Sequence, residues 1–260
     1  MEARDITCRV RTNREVSSGI YRARLEPVKA TVPDAAPGQF AMIQVKEKAG
    51  PLLRRPLSYL QAGEGRIEFL YRVVGVGTHI LAQAKKKDEL KVLGPLGSGF
   101  DLSPVKSSAL LVAGGIGIAP IYFLAMKLVE RRIPNVELVY GARTAKEILF
   151  AEDMEKTGIT VRIATDDGSA GSRGLASEEA IKAMGANKPD VVFACGPYPM
   201  LHAVAESAAR IGAPCRVSIE ERMACGVGAC MGCAVKTEQG YLHVCCDGPV
   251  FDASVLFKRP

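Results

Sequence analysis

The sequence lacks the long apolar runs and leader patterns that direct a chain into or across a membrane. The first sixteen residues, MEARDITCRVRTNREV, contain no apolar core of the signal-peptide kind. No later stretch reaches the ~20 apolar residues that a membrane-spanning helix needs. We therefore expect a cytoplasmic protein without a membrane partner. Repeats and low-complexity segments are also missing, and 48% hydrophobic content over 260 residues predicts packed cores rather than disorder.

A basic stripe is likewise missing, although the formal net charge is +6. The run Lys85, Lys86, Lys87 is followed at once by Asp88 and Glu89, a pattern that predicts a solvated turn. No motif that reads nucleic acid accompanies these charges, so nucleic acid is excluded as a partner.

Cysteine, in contrast, is abundant, with eight in the chain. In a reducing compartment thiols serve metal binding or redox chemistry more often than disulfides. Cys8 and Cys215 stand apart from the others and are expected to be small buried residues. Five of the eight are clustered between residues 225 and 246 and suggest a metal site.

The spacing of these five cysteines is typical of an iron–sulfur cluster. Cys225, Cys230 and Cys233 fall within nine residues, CGVGACMGC, and Cys245 and Cys246 follow after eleven intervening positions. Gaps of four and then two residues form the plant-type pattern of a [2Fe–2S] cluster, whose fourth ligand comes from further along the chain. The intervening glycines let the backbone fold closely around an inorganic core.

The fourth ligand is ambiguous from spacing alone. Neighbouring side chains on an extended segment point to opposite sides, so only one of Cys245 and Cys246 is expected to face the cluster. Two other interpretations stay open at this point. The first is a zinc site, which usually combines two Cys-x-x-Cys or Cys/His groups, although this sequence has only one Cys-x-x-Cys. The second is a set of free thiols that are simply buried.

Three regions of different sequence texture follow one another. Residues 1–100 read as short strands broken by turns, which predicts an antiparallel β-barrel. Residues 101–212 alternate apolar strands with helical patterns, which predicts a parallel α/β domain. Residues 213–260 contain the five clustered cysteines and are too short to build a core without a metal. The predicted fold class is therefore α/β plus β, with a small C-terminal [2Fe–2S] domain.

A glycine-rich turn follows the first strand of the second region. Strand ALLV leads into Gly114, Gly115 and Gly117, and Pro120 suits the first helical turn, where a missing N–H is harmless. Such a turn offers free backbone N–H groups to a pyrophosphate. Pro120 stands where G-x-G-x-x-G has its last glycine, so the loop alone fits a tight structural turn equally well.

A second loop strengthens the nucleotide interpretation. A later strand ends in Cys195, Gly196 and Pro197 before another helix. Because parallel sheets bind ligands at the carboxyl ends of their strands, both loops should share one edge. Cys195 is either a packed core thiol or part of a nicotinamide pocket, and we favour the pocket.

Two segments of the barrel region have the residues that a flavin diphosphate requires. The tetrad Arg55-Pro56-Leu57-Ser58 follows a predicted loop, and Gly75-Val76-Gly77-Thr78 follows the strand RIEFLYRVV. Small residues, a hydroxyl and an arginine are suited to a diphosphate. By spacing alone, both segments also fit ordinary turns.

Six motifs in order carry a family resemblance. RRPLSY, YRVVGVGT, GPLGSGF, AGGIGIAP, VYGAR and FACGPYPML resemble the ferredoxin-NADP reductase superfamily over about the first 210 residues. The remaining part, SIEERMACGVGACMGC followed by CCDGPVF, closely resembles the electron-transfer subunits of NAD-linked dihydroorotate dehydrogenases. The resemblance spans essentially the whole chain.

The resemblance implies a role for individual residues. It implies FAD binding by Arg55, Pro56, Leu57, Ser58, Tyr71, Gly75, Gly77 and Thr78. It implies NAD binding by Gly115, Gly117, Pro120, Cys195, Gly196 and Pro197. It implies cluster ligation by Cys225, Cys230, Cys233 and Cys245, with Cys246 at a position that is usually polar in the family.

The resemblance also implies a function. A flavin links the hydride chemistry of NAD to the one-electron chemistry of a [2Fe–2S] cluster, and no catalytic acid or base is needed. The chain has no room for a second substrate site, so the implied partner is an FMN-containing catalytic subunit that oxidises dihydroorotate to orotate in pyrimidine biosynthesis. Two copies of each subunit are implied, as a heterotetramer.

Rival functions stay open. Related subunits serve sulfide dehydrogenases, ferredoxin-NADP transhydrogenases and hydrogenases, although transhydrogenases often have Asp where this chain has Cys225. A zinc-binding scaffold protein is the rival from another class. The choice between NAD and NADP depends on few side chains. Arg143 follows a strand where a 2′-phosphate could bind, but a lone arginine at a strand end is more often a solvated surface residue, and the family favours NAD.

Overall fold

Residues 3–31, 34–45, 51–63, 65–238 and 240–257 are described by a computed structural model of the protein. The chain divides into two units by its internal contacts. The barrel unit comprises Met1–Gly99, Glu220–Val235 and Leu242–Pro249. The sheet unit comprises Phe100–Ile219, Lys236–Tyr241 and Val250–Pro260.

Six strands of the barrel unit form a closed antiparallel barrel in the order β1-β2-β5-β4-β3-β6. Alternation of apolar and polar residues explains why these segments form strands with one buried face. In the first strand Ile6, Cys8 and Val10 are buried while Arg9 is exposed. The predicted barrel is confirmed. Its elements are β1 (Arg4–Ser17), β2 (Ile20–Pro27), β3 (Phe40–Gln44), β4 (Arg55–Gly63), β5 (Arg66–Arg72) and β6 (Glu89–Leu96), with helix α1 (Val76–Ala82) between β5 and β6.

The sheet unit contains a seven-stranded sheet. Its central strands are continuous apolar runs, because both faces of a parallel sheet are covered. The first strands are β7 (Ser108–Gly114), β8 (Asn135–Ala142), β9 (Thr160–Thr165), β10 (Ser172–Arg173), β11 (Val191–Cys195) and β12 (Cys215–Ser218). Then β13 (Ala234–Thr237) and β14 (Gly240–His243) form a separate two-stranded sheet, and β15 (Val250–Asp252) joins the large one. The order is β10-β9-β8-β7-β11-β12-β15, parallel except for β15.

Helices of the sheet unit pack on this sheet. In the first of them Ile118, Ile121, Leu124 and Leu128 are buried at helical spacing. The predicted α/β architecture is confirmed. The helices are α2 (Ile118–Glu130), α3 (Ala151–Glu155), α4 (Ala176–Ala186), α5 (Tyr198–Arg210) and α6 (Ala253–Leu256), with 3₁₀ turns at Gly115–Gly117 and Ala145–Glu147. Over the described ranges, every helix is too short or too polar to cross a membrane.

The predicted third region, 213–260, is distributed over both units. Strands β12 and β15 pair with each other inside the large sheet. The segments that bear the five clustered cysteines, 220–235 and 242–249, belong to the barrel unit. The cysteines therefore lie in the same unit as the predicted flavin segments.

Candidate functional site

The cysteine-bearing loop 225–233 is seated against the barrel. At Gly226 a Cβ atom would lie 2.6 Å from Met42 Cγ and 3.3 Å from Leu96 Cδ1. Gly226 also has φ +74°, a conformation that favours glycine. Strands β3 and β6 thus fix the start of the loop, and only glycine fits at this point.

The second cysteine-bearing segment is a turn. The carbonyl oxygen of His243 accepts N–H bonds from Cys246 at 2.9 Å and from Asp247 at 2.8 Å, and Asp247 Oδ2 accepts one from the His243 N–H at 2.6 Å. The extended segment assumed from the sequence is therefore wrong. In a turn two successive side chains can lie on one side, and the Sγ atoms of Cys245 and Cys246 are 3.7 Å apart.

The structure groups four of the thiols into two pairs. Cys233 and Cys245 are both 2% exposed, and the Cys245 N–H donates to Cys233 Sγ at 3.4 Å. The Cys225 thiol interacts with the side chain of Cys230. Among the residues that the structure describes, no three His, Cys, Asp or Glu side chains are grouped as ligands of a single metal ion. Two pairs instead suit a two-iron cluster, in which each iron takes two protein ligands.

Backbone amides point at these sulfur atoms. Val227 N–H donates to Cys225 Sγ at 3.4 Å, and Gly228 N–H donates to Cys245 Sγ at 3.2 Å. Such bonds stabilise thiolate and tune iron–sulfur clusters. The Val227 bond is the main reason why the pKa of Cys225 falls to about 6, whereas burial raises the pKa of Cys245. The donor set fits a cluster bound by four thiolates, which must lose their protons on binding.

The two cysteines expected to be ordinary core residues are buried as predicted. Cys8 is 0% exposed and Cys215 is 6% exposed. Burial raises the pKa of each thiol to about 12, so both are protonated at neutral pH.

The two predicted flavin segments meet at Arg55 and Gly77. A Cβ atom at position 77 would lie 1.9 Å from Arg55 Nε, so the guanidinium occupies the space that glycine leaves. The same guanidinium donates to the carbonyl oxygens of Leu53 and Arg54. A fixed cation beside a glycine-containing turn suits a diphosphate, so these residues fit FAD.

The remaining predicted flavin residues have defined surroundings. Thr78 Oγ1 accepts from the Val74 N–H at 2.9 Å and the Gly75 N–H at 3.2 Å, which holds the turn before α1. Tyr71 is 1% exposed and its hydroxyl donates to Asn13 Oδ1 at 2.8 Å, so its ring is buried and its contact with FAD stays a prediction. Half-buried positions on β4, paired with β3, are taken by Pro56, Leu57 and Ser58.

The two predicted nucleotide loops lie side by side. Strands β7 and β11 are parallel neighbours, with Ala113 opposite Cys195. A Cβ atom at Gly117 would lie 2.3 Å from the Cys195 carbonyl oxygen, and one at Gly196 would lie 3.0 Å from Gly114 N. The expectation of one shared edge is confirmed, and so is the place of Pro120 in the first turn of α2.

Cys195 itself is 2% exposed. Its membership of a nicotinamide pocket therefore stays a prediction. Pro197 directly precedes α5. A Cβ atom at Gly114 would lie 2.7 Å from the Cδ atom of Pro197. Backbone contact between the two loops, rather than side-chain chemistry, shapes this edge.

Sequence reasoning missed two residues next to the glycine loop. The Tyr140 hydroxyl donates to the Glu147 carbonyl oxygen at 3.0 Å and lies 3.3 Å from the Gly115 carbonyl oxygen. Glu147 Oε1 accepts from Arg143 Nε at 3.1 Å and Nη2 at 2.6 Å. Arg143 is therefore paired. An acidic residue after the second strand of a βαβ unit was the available signal, because this is where ribose hydroxyls bind.

Two protein families match this chain, one in the sheet with the glycine loops and one in the cysteine-bearing segments. Residues 111–206 match the family described as oxidoreductase NAD-binding domain. Residues 220–257 match the family described as iron-sulfur cluster binding domain of dihydroorotate dehydrogenase B. The matches support NAD and an iron–sulfur cluster as cofactors, and they contain the nucleotide loops and the five clustered cysteines.

Solved structures share the fold. A NADH-dependent reduced ferredoxin-NADP oxidoreductase, studied for flavin-based electron bifurcation, is 28% identical with a TM-score of 0.83, covering 96% of this chain and 89% of that one. A ferredoxin reductase in carbazole 1,9a-dioxygenase is 21% identical with a TM-score of 0.70, covering 82% of this chain and 68% of that one. The chain therefore has the fold of FAD-dependent ferredoxin-NADP reductases, which supports FAD as a further cofactor.

Curated relatives are similar over most of their length. A Geobacillus kaustophilus protein is 45% identical over 224 residues, covering 84% of this chain and 85% of the relative. A Fusobacterium nucleatum protein is 36% identical over 257 residues, covering 95% and 96%. Both are named dihydroorotate dehydrogenase B (NAD(+)), electron transfer subunit. With this similarity and a barrel, an NAD-binding sheet and clustered cysteines in one chain, the protein belongs to the family of dihydroorotate dehydrogenase B electron transfer subunits.

Proposed function

We propose that this chain passes electrons from an FMN-containing catalytic subunit, through a [2Fe–2S] cluster and FAD, to NAD⁺. The net reaction oxidises dihydroorotate to orotate by two electrons and two protons, and reduces NAD⁺ to NADH with release of one proton. The observation that carries the proposal is the pairing of thiols in a segment that matches an iron–sulfur family and lies in the unit with the flavin segments. FAD supplies the link between one-electron and hydride transfer.

For the cluster, we propose Cys225, Cys230, Cys233 and Cys245 as ligands. Support comes from the two thiol pairs and from the amides of Val227 and Gly228 that point at sulfur. Cys245 fits the fourth position because it is buried beside Cys233, whereas Cys246 is exposed. Residues 213–260 are accordingly proposed as the cluster region.

For FAD, we propose the barrel region 1–100, with Arg55 as the phosphate-binding cation. The close fit of Arg55 against Gly77 supports this role, since it holds a positive charge beside the turn that Thr78 fixes. The other residues proposed for this site are Pro56, Leu57, Ser58, Tyr71 and Gly75. Their part is to shape the floor of the site rather than to react.

For NAD, we propose the region 101–212. The turn that contains Gly115 and Gly117 precedes α2, a 13-residue helix whose first N–H groups lack partners within the helix and favour a pyrophosphate. Pro120 leaves these groups undisturbed because it has no N–H of its own. Nicotinamide binding is proposed for the adjacent loop of Cys195, Gly196 and Pro197.

The relatives' name, electron transfer subunit, implies a partner catalytic subunit. We propose that the partner of this chain contains FMN and that two copies of each subunit assemble. In this proposal the chain moves electrons, and proton abstraction from dihydroorotate belongs to the partner.

The decisive experiment is an anaerobic assay of this chain co-expressed with a candidate FMN subunit. NAD⁺ reduction by dihydroorotate is followed together with iron, sulfide, FAD and FMN contents. We expect NADH formation with about two irons and one FAD per chain. Iron and FAD without dihydroorotate-dependent NADH formation would contradict the assignment of the partner. A colourless protein that contains zinc would contradict the electron-transfer function as a whole.

One alternative has an observation in its favour. The 28% identity and TM-score of 0.83 to a reduced ferredoxin-NADP oxidoreductase suggest ferredoxin as the electron carrier. The same preparation separates the two functions: rapid NAD(P)⁺ reduction by reduced ferredoxin, without the FMN subunit, would favour the alternative.

A further inference from the structure

The fourth-ligand position of the proposed cluster has two thiols beside it. Cys245 and Cys246 lie in the turn closed by His243, and their Sγ atoms are 3.7 Å apart. Two sulfur ligands of one tetrahedral metal, each ~2.3 Å from it, are separated by about 3.7 Å. The distance between these thiols is therefore that of two atoms able to occupy the coordination sphere of the same iron.

Both thiols also face the same residue of the cysteine-bearing loop. Gly228 N–H donates to Cys245 Sγ at 3.2 Å, and a Cβ atom at position 228 would lie 2.7 Å from Cys246 Sγ. No side chain of residue 228 thus stands between the loop and either thiol. The Cys246 N–H donates to the His243 carbonyl oxygen at 2.9 Å, so the backbone of the turn holds its side chain beside Cys245.

The two thiols differ in exposure. Cys245 is 2% exposed and contacts Cys233, whereas Cys246 is exposed. Burial beside another ligand favours Cys245 as the resident ligand. Exposure leaves Cys246 free to move.

We propose that Cys246 is an alternative fourth ligand, which binds the iron left open when Cys245 is lost or released. The exchange forms the bond from Cys246 sulfur to iron and breaks the bond from Cys245 sulfur. The incoming thiol releases its proton to water, the released Cys245 thiolate takes up a proton from water, and no electron is gained or lost. The inference rests on the proposed cluster. It adds a fifth cysteine to the four that the family resemblance implies.

The test uses the full-length chain, purified anaerobically, as wild type and as Cys245→Ala, Cys246→Ala and the double variant. Alanine is chosen because serine oxygen can itself bind iron. Cys246→Ala should keep the wild-type iron content and electron paramagnetic resonance spectrum of the reduced cluster. Cys245→Ala should keep at least about half of the iron with an altered spectrum, and the double variant should keep less than about a tenth.

Cys233→Ala is the matched control, because among the described residues no second thiol adjoins it in the chain. It should lose its iron as the double variant does. The inference requires that Cys245→Ala keep more iron than the double variant. If both variants lost their iron to the same extent, or both kept it to the same extent, the inference would be overturned. A wild-type chain without iron would overturn the cluster itself, which distinguishes failure of the proposed function from failure of this inference.

A second readout follows the thiol directly. Iodoacetamide should label Cys246 in the iron-loaded wild type, and mass spectrometry identifies the labelled peptide. In iron-loaded Cys245→Ala the same thiol should be protected, and removal of iron by a chelator should restore labelling. Unchanged labelling of Cys246 in loaded Cys245→Ala would overturn the inference, whatever the iron content.

Discussion

Gly77 controls the position of Arg55, so a single methyl group tests the proposed phosphate contact. A Cβ atom there would lie 1.9 Å from Arg55 Nε, at the end of a flexible side chain that can move without shifting the backbone. We expect Gly77→Ala to fold normally but to bind FAD about 10- to 100-fold more weakly, which corresponds to one charge-assisted hydrogen bond of ~1.5–3 kcal/mol. Fluorescence titration of flavin-depleted protein measures the dissociation constant.

The role of Arg55 in this effect is checked by a double-mutant cycle. Arg55→Ala should weaken FAD binding by a similar factor, and combining it with Gly77→Ala should add little, because both remove the same contact. Gly185→Ala serves as a control, since a Cβ atom on this glycine of α4 meets nothing within 4 Å. Additive losses in the double variant would show that Gly77 acts on FAD by another route.

Glu147 is the residue that we expect to select NAD over NADP. Its carboxylate pairs with Arg143 after β8, so we expect it to repel a 2′-phosphate and to hold the guanidinium that would otherwise bind one. Glu147→Ala should raise the NADPH-to-NADH ratio of kcat/KM about 10-fold. Ferricyanide reduction by each nucleotide measures this ratio. The gain should vanish in Arg143→Ala/Glu147→Ala, and an unchanged ratio in Glu147→Ala would contradict the role.

The starts of β7 and β11 are joined by Asp190. Its Oδ2 accepts N–H bonds from Lys106 at 3.0 Å, Ser107 at 2.6 Å and Ser108 at 2.9 Å. The Ser107 bond leads the group of contacts that lowers the pKa of Asp190 to about 2. We expect Asp190→Asn to lower the free energy of unfolding by about 1 kcal/mol at pH 7, because a neutral acceptor bonds less strongly than a carboxylate. Urea unfolding measures the difference.

The same shift fixes the pH dependence of this difference. A carboxyl group whose pKa is lower in the folded state stabilises the protein fully at pH values above its unfolded-state pKa of ~3.9. This stabilisation is lost as the pH falls toward the folded-state pKa of about 2. The gap between wild type and Asp190→Asn should therefore be constant from pH 7 to pH 5 and smaller at pH 3. Asp153→Asn, at an exposed ion pair of 4.0 Å with Lys156, should change stability little at any pH. A gap that widens in acid would refute the assignment.

Strands with a regular alternation of apolar and polar residues were predictable from the sequence. Elements whose secondary structure depends on contacts with other segments were not. The segment that begins at Arg55 resembles a turn because it contains Pro56 next to charged residues, yet it forms β4 since β3 and β5 supply hydrogen-bonding edges on both sides. The turn at Gly75 leads into α1 because Thr78 fixes it. Tertiary pairing thus overrides local propensity in β4, whereas the turn before α1 depends on a local side-chain bond.

The proposed cysteine ligands illustrate the same limit. Spacing indicated a cluster, since ligand distances along the chain follow from the chemistry of the core. The choice between Cys245 and Cys246 depended on the conformation of 243–247, where hydrogen bonds to His243 form a turn instead of an extended segment. The pairing of β12 with β15 joins residues more than thirty positions apart, which no local pattern specifies.

The chain as a whole divides the proposed electron path between its two units, so each end can be disabled separately. Cys225→Ala removes a proposed ligand in the barrel unit. We expect loss of the cluster and a fall of about 100-fold or more in dihydroorotate-dependent NAD⁺ reduction by the complex. Ferricyanide reduction by NADH should stay within about 2-fold of wild type, because FAD and NAD suffice for it.

The reciprocal variant is Gly117→Val in the sheet unit. A side chain there collides with the Cys195 carbonyl oxygen, 2.3 Å from the Cβ position, and so displaces both nucleotide loops. NADH-dependent ferricyanide reduction should fall about 100-fold, since misplacement by ~1 Å costs that much. Dihydroorotate should still reduce the cluster in the complex, as seen by electron paramagnetic resonance. If Cys225→Ala abolished NADH oxidation, or Gly117→Val prevented reduction of the cluster, the two ends would not be separable and the proposed path would be wrong.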